Sequence, residues 1–273
     1  MAGTGGRVLD IILNSPAMGD QQHVDVLLPE QCMFGNPLTE AVRCYGSDPT
    51  YLVGNLSDLS LFVASGNGLP GVYDNLDSST GVEDAIGDGA IEAFVHAMNQ
   101  AFSAALDAAG NSSTEYCYGN GTHRWPYWLR DLAHFLPQMS ATFAKPQTVT
   151  PFNYRTVDAQ FSMFGYQFSI NHVAEEFTYL SNVSSSGMSV VGDGELSVTT
   201  PGNYSPGKLS SVTTRSSSLT DGTRVLTQNV RADSTGQLRF DVNLGSPSPV
   251  RQLVFLTNLA SFMDSAAVSI LPS

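Results

Sequence analysis

Lysine is nearly absent from this chain. Two lysines, Lys145 and Lys208, stand among 273 residues, and arginine supplies the rest of the 12 basic side chains. That ratio is read as a base-composition bias of the gene. Charge of any kind is scarce at 14%, and its balance is acidic, with a formal net charge of −13. Residues 1–144 carry 4 Lys/Arg against 16 Asp/Glu, and residues 145–273 carry 8 against 9. An acidic first half excludes nucleic acid as a partner, because phosphate must be neutralised by clustered Lys/Arg. No apolar run approaches the roughly 18 residues of a membrane-spanning helix. The N-terminal MAGTGGRVLDIILNSP has too short an apolar stretch to read as a signal peptide. The three cysteines, Cys32, Cys44 and Cys117, match no zinc or redox spacing. A Cys32–Cys44 disulfide and free thiols both remain open. Also missing is any Gly-x-Ser-x-Gly, the strand-to-helix turn that presents a nucleophilic serine in many hydrolases.

The first half reads as α/β. VLDIILNSP (8–16) and HVDVLLP (23–29) are short apolar runs on either side of a turn, the pattern of a hairpin. LSLFVASGNG (59–68) is a continuous apolar run ending in Gly-Asn-Gly, as expected of a buried strand feeding a loop. Over 90–109, Ile91, Phe94, Val95, Met98, Phe102, Ala105 and Leu106 recur at helical spacing, and Gly110 stops the pattern. TEYCYG (114–119) is a further strand. WPYWLRDLAHFLPQM (125–139) starts a helix that Pro137 should end or kink.

Beyond AKPQTVTPFNYR (144–155) the helical pattern vanishes. From residue 159, strand candidates recur about every dozen residues, separated by turns such as GDGE, TPGNYSPG, LTDGT and DSTG. In QLRFDVNL, Leu238, Phe240, Val242 and Leu244 share one face. The expected organisation is an α/β domain over 1–145 and an antiparallel β-sandwich over 150–273. Its core should include Phe161, Phe168, Leu238, Phe240, Val242 and Phe255.

The segment YGNGTHRWPYWLRDL (118–132) carries the chemistry. His123 sits in a Gly/Thr turn, followed by Trp125, Pro126, Tyr127 and Trp128. A histidine in a turn at the mouth of a helix can reach a reacting group, as a general base must. The matching acid is Glu92, after the strand LSLFVASGNG. An ordinary first-turn glutamate favouring the helix dipole is the plain reading of the same residue. Asp74, Asp77, Glu83, Asp84 and Asp88 compete with it from an acidic loop, 74–88. That loop fits no EF-hand spacing, so solvation suits it better than calcium. His96 could pair with Glu92 at i, i+4. His134 should lie on the surface, and His23 and His172 have no partners in sequence. SGNG (65–68) is too weak a signal for phosphate.

Three patches resemble the esterase family that includes the actinobacterial mycolyltransferases and esterase D-type enzymes. They are LNSPAMG (13–19) followed by HVDVLLP, DPTYLVGNLSDLSLFVASGNGLPG (48–71), and IEAFV (91–95) with NGTHRWPYW (120–128). The resemblance implies an α/β-hydrolase fold with Glu92 as triad acid and His123 as triad base, and no cofactor. It implies an acyl ester or glycolipid substrate, as of a cell-envelope lipid, and an exported or envelope-associated protein. The departure is the nucleophile. The chain passes from VLLPE (26–30) to QCMFGNP (31–37) without the segment that would hold the serine elbow and the oxyanion donors, so the α/β domain reads as internally shortened near 30–32. Ser15 and Ser65 are the substitutes to consider. The rival class is a non-catalytic protein that binds envelope glycan or protein. The shortened sheet should have about four strands, combining the opening pair with LSLFVASG and TEYCYG. Oligomeric state is not legible.

Overall fold

The computed structural model describes residues 7–15, 20–28, 41–57, 59–111, 113–145, 151–218, 222–247 and 263–272. Its elements group into two compact units. The first holds strands β1 (Arg7–Ser15) and β2 (Asp20–Leu28), a 3₁₀ turn (Val53–Leu56), β3 (Leu61–Ser65), helix α2 (Ser79–Ala108), β4 (Ser113–Cys117) and helix α3 (Trp125–Phe143). The second holds the short helix α1 (Ala41–Gly46) and strands β5 to β14, which begin at Phe152. Mixed α/β with a β-rich part describes the whole.

In the first unit β1 and β2 form the antiparallel hairpin read from the sequence, with Arg7 opposite Leu28 and Ser15 opposite Asp20. β3 and β4 pair in parallel, Leu61 with Ser113 through Ser65 with Cys117. The expected four-stranded sheet is not seen among the described residues. The two pairs form separate two-stranded sheets. A helix meets the parallel pair on each face. Phe62 of β3 meets Phe135 of α3 with the rings tilted by 45° and their centroids 5.6 Å apart. Ser65, three residues on and therefore on the other face, meets His96 of α2.

Helix α2 starts eleven residues before the expected Ala90. Ser78 caps it, with extended backbone and a side chain accepting from Gly81 N–H at 3.1 Å. Glu83, Asp84 and Asp88, expected in a loop, are therefore helical, and Glu92 lies in the helix interior. The C-terminus closes as a Schellman motif. Gly110 takes φ +74°, its N–H reaches Asp107 O, and Asn111 N–H reaches Leu106 O. The face that α2 buries is also not the apolar one. Gly81, Ala85, Gly89, Glu92, Ser103 and Leu106 are buried. Ile91, Phe94 and Met98 are 51%, 68% and 54% exposed. Small residues won the inner face because Gly89 packs backbone to backbone on Gly68. Helix α3 shows the same inversion. Tyr127 is buried, while Trp125, Leu129, Leu132, Leu136 and Phe143 form an exposed stripe. Pro137 does not end α3, which runs six residues past it.

The second unit consists of two antiparallel sheets. β6 (Gln160–Met163), β7 (Tyr166–Ile170), β10 (Glu195–Thr199) and β13 (Arg239–Asn243) form one, in the order β13-β10-β7-β6. β5 (Phe152–Thr156), β8 (Thr178–Ser184), β9 (Gly187–Gly192), β11 (Leu209–Ser218), β12 (Gly222–Arg231) and β14 (Asp264–Pro272) form the other, in the order β12-β11-β14-β9-β8-β5. Strand β5 falls in a stretch read as connecting. One hydrophobic cluster takes residues from both sheets: Phe168, Ile170, Leu196, Val198, Phe240 and Val242 from the first, Leu180, Val190, Val212, Val268 and Ile270 from the second. Leu238, Phe240, Val242 and Leu244 are all buried, as their alternation requires, and Phe161 is partly buried against the same cluster. Phe255 lies outside the described residues. Leu238→Ala should cost about 2–5 kcal/mol by opening a cavity in this core. A shifted denaturant midpoint for the second unit, at unchanged slope, is the measurement.

Candidate active site

Because β3 and β4 are parallel and in register, both chains leave the sheet at the same end, where loops of a parallel sheet gather functional groups. The loop after β3 (residues 66–71) and the loop after β4 (118–124) are laced together. Asn67 N–H donates to Gly119 O at 2.9 Å and Gly68 N–H to Gly121 O at 3.0 Å. The approach is close enough to demand glycine. A Cβ on Gly66 would stand 2.5 Å from Gly121 O, and Gly68 holds φ +83° against the backbone of α2. The Gly-Asn-Gly and Asn-Gly-Thr runs of the sequence are therefore two halves of one joint.

Three polar bonds fasten this joint to α2. Asn99 Nδ2 donates to Ala64 O at 3.2 Å, Ser65 Oγ and His96 Nδ1 are 2.9 Å apart, and Gly66 N–H donates to Glu92 Oε1 at 2.7 Å. Successive residues 64, 65 and 66, the end of β3 and the first of its loop, thus meet 99, 96 and 92, which share one helix face at i+7, i+4 and i. Glu92 is 3% exposed. Its second oxygen, Oε2, lies 2.9 Å from His123 Nδ1. A carboxylate can only accept there, so Nδ1 carries the proton and Nε2 is the basic nitrogen. The His123 side chain remains 33% exposed. Its ring meets Trp128 edge to face, with centroids 4.7 Å apart, and Trp128 meets Trp125 in the same manner at 5.0 Å. The His123 N–H donates to Asp88 O at 3.1 Å.

Asp74 locks the histidine loop from below. Its carboxylate accepts from Thr122 Oγ at 2.5 Å, from Tyr127 Oη at 2.6 Å and from Gly71 N–H at 2.7 Å. Burial alone would raise its pKa. The Gly71, Thr122 and Tyr127 bonds together with the Arg124 charge outweigh that, and the carboxyl sits below its ordinary value. Burial and the Asp74 bond push the Tyr127 phenol up. Arg124 spans the acids of α2, 3.4 Å from Asp88 and 3.9 Å from Asp84. Arg130 lies 3.5 Å over the Tyr118 ring, with Tyr73, Tyr116 and Tyr127 rings within 6 Å. Tyr118 and Tyr127 stack in parallel at 5.8 Å.

The candidate acid and base are thus in contact, and the competitors are elsewhere. Asp74 serves Thr122 and Tyr127. Asp84 and Asp88 face Arg124, and Asp77 is exposed. His96 pairs with Ser65 rather than with Glu92, because its turn of helix lies beside the end of β3. His134 is exposed, as expected, and meets Tyr116 Oη at 2.9 Å. His172 belongs to the second unit, where burial lowers its pKa and Glu176 lies 3.9 Å away. Ser65 is 2% exposed and engaged by His96. Ser15 ends β1, and its side chain lies outside the described residues, as do those of His23 and Cys32. Among the described residues no serine or cysteine is hydrogen-bonded to His123. Cys117 is an exposed free thiol. No cluster of three or more His, Cys, Asp or Glu suited to a metal occurs among the described residues. No helix of the described residues is long and apolar enough to cross a membrane.

Sequence reading set Glu92 and His96 one turn apart but missed Asn99 as the third member of that stripe, and the Gly66 N–H as the second anchor of Glu92. The signal was present as polar residues at i, i+4 and i+7 among and directly after the apolar residues of 91–98.

The chain is similar to the diacylglycerol acyltransferase/mycolyltransferase Ag85A of Mycobacterium ulcerans, with 33% identity over 108 residues. The match takes in 37% of this chain and 29% of that protein, so the chain spans less than a third of its relative's length. No family model matches the chain, and no solved structure does.

Asp74→Asn should destabilise the first unit by about 1–3 kcal/mol at neutral pH, since a charged acceptor of three bonds becomes a neutral one. The native pKa of Asp74 is depressed, so its contribution is present above the unfolded value of about 3.9 and fades as pH falls through the native value. The variant should therefore lose part of the acid limb of a stability–pH curve, measured by denaturant unfolding from neutral pH to below about 4.

Proposed function

We propose that the first unit derives from an α/β-hydrolase and carries the acid and base of a serine esterase or acyltransferase. Glu92 orients His123, and His123 would take the proton of an attacking hydroxyl at Nε2. The observation that carries this reading is the two-ended engagement of Glu92, on His123 Nδ1 through one oxygen and on Gly66 N–H through the other. It holds the imidazole in the tautomer that general base catalysis needs. Similarity to an acyltransferase supports acyl esters of lipids or glycolipids as the substrate class. The two antiparallel sheets around a shared core are read as a β-sandwich accessory domain over about 150–273, beside an α/β domain over 1–145. Neither role calls for a cofactor.

The same reading assigns the chain little or no turnover of its own. The segment that would bring a nucleophilic serine and oxyanion donors is the one the chain passes over near residues 30–32. Each such donor is worth roughly 3–4 kcal/mol in the transition state. Ser65, the strand-end substitute, is turned to His96. This observation also favours a second reading, in which the protein binds envelope glycan or protein without catalysis.

The test is p-nitrophenyl ester hydrolysis combined with fluorophosphonate labelling of the full chain. The expected result is turnover at the background rate and no labelled serine. Robust turnover that disappears in His123→Ala, with a label mapped to Ser15 or Ser65, would overturn the assignment of an idle pair. For the pair itself, Glu92→Gln should release the His123 tautomer, read as a change in the ring ¹⁵N shifts. An unchanged His123 spectrum would remove Glu92 from its role.

A further inference from the structure

In the second unit, β13 ends the four-stranded sheet and β12 ends the six-stranded one. Between them lies a cleft of about 300 Å³, lined by Glu195, Thr214, Ser216, Arg224, Leu226, Gln228, Asp241 and Asn243. A second hollow of about 380 Å³ shares Glu195, Arg224 and Asn243 and adds Asn171 and Gly194. Small-molecule sites begin at roughly this volume.

The lining has a definite polarity. Asn243 Oδ1 accepts from Gly245 N–H at 2.9 Å, and Asn171 Oδ1 accepts from Glu195 N–H at 2.7 Å. Both amide oxygens are committed to backbone, so both amides offer their NH₂ groups as donors. Arg224 adds a fork of donors, and Gln228 either role. Glu195 and Asp241 supply acceptors. Asp241 is already braced by Ser197 Oγ at 2.7 Å. Glu195 stands opposite Asn243 in the β10–β13 ladder, which sets an acceptor beside a donor. Leu226, 54% exposed, lies between Arg224 and Gln228 on the same face of β12 and gives one apolar wall. At the floor, Thr214 is 4% exposed and its hydroxyl has no hydrogen-bond partner.

Two carboxylates disfavour an anion. The Arg224 guanidinium in the same lining disfavours a cation. Alternating donors and acceptors disfavour an apolar ligand. A hydroxyl is both donor and acceptor, and a sugar ring carries several around an apolar C–H face. We propose that this cleft binds a neutral sugar, independently of the Glu92–His123 site.

The probes are glucose and maltoheptaose, titrated separately into the ¹⁵N-labelled full chain. With either, the side-chain amide signals of Gln228, Asn243 and Asn171 should move in a saturable manner. A response to glucose marks a free-sugar site, and a response to maltoheptaose alone marks a glycan-chain site. Glu195→Gln and Asp241→Asn keep the shape and remove the charged acceptors, and each should weaken binding at least tenfold while leaving the backbone spectrum unchanged. Leu226→Ala serves as a third variant if either fails to fold. No amide movement with either sugar, or movement with inorganic phosphate in their place, overturns the proposal.

Discussion

The first unit turns on one buried carboxylate. Glu92 is almost wholly out of water, and an isolated ionised carboxylate there would be costly. Its two oxygens are used by Gly66 N–H and by His123 Nδ1, which join the loop after β3 to the loop after β4 through a helix that lies between them in sequence. Removing one partner would leave the other facing a half-satisfied charge. The neighbouring bonds of Ser65 with His96 and of Asn99 with Ala64 fix the helix in the one register that brings Glu92 there. A helix slid by one residue would turn this whole stripe away from the strand end.

Most of this arrangement was legible one element at a time. Gly-Asn-Gly after an apolar run suggested a strand feeding a loop, and the resemblance paired Glu92 with His123, which stands in a Gly/Thr turn. The helix face was not legible. Periodicity placed Ile91, Phe94 and Met98 inward, on the usual rule that apolar stripes are buried. Close backbone approach between Gly68 and Gly89 decided otherwise, and such an approach depends on a contact distant in sequence. The start of α2 was missed for a local reason. Ser78 as a cap is followed by a stretch rich in acid and glycine, which reads as loop until the cap is recognised. Of the two effects expected of Pro137, ending the helix is not the one seen. The proline costs a hydrogen bond inside α3 without ending the helix.

In the second unit the alternation of Leu238, Phe240, Val242 and Leu244 was enough to place a strand and its buried face, because period two has few rival readings. What alternation could not supply was the order of strands. β14 comes last in the chain and sits between β9 and β11. Such an order follows from tertiary packing rather than from any one segment.

The outward apolar stripes of α2 and α3 set the conditions under which the molecule stays dispersed. Trp125, Leu129, Leu132 and Leu136 on one helix, and Ile91, Phe94 and Met98 on the other, are surfaces on which copies could stick. The first half of the chain opposes this with 16 acids against 4 bases. That repulsion reaches about 30 Å in 0.01 M salt and only about 3 Å in 1 M salt. Colloidal behaviour is therefore governed by ionic strength: dilute buffer keeps the molecules apart, and brine lets their greasy flanks meet.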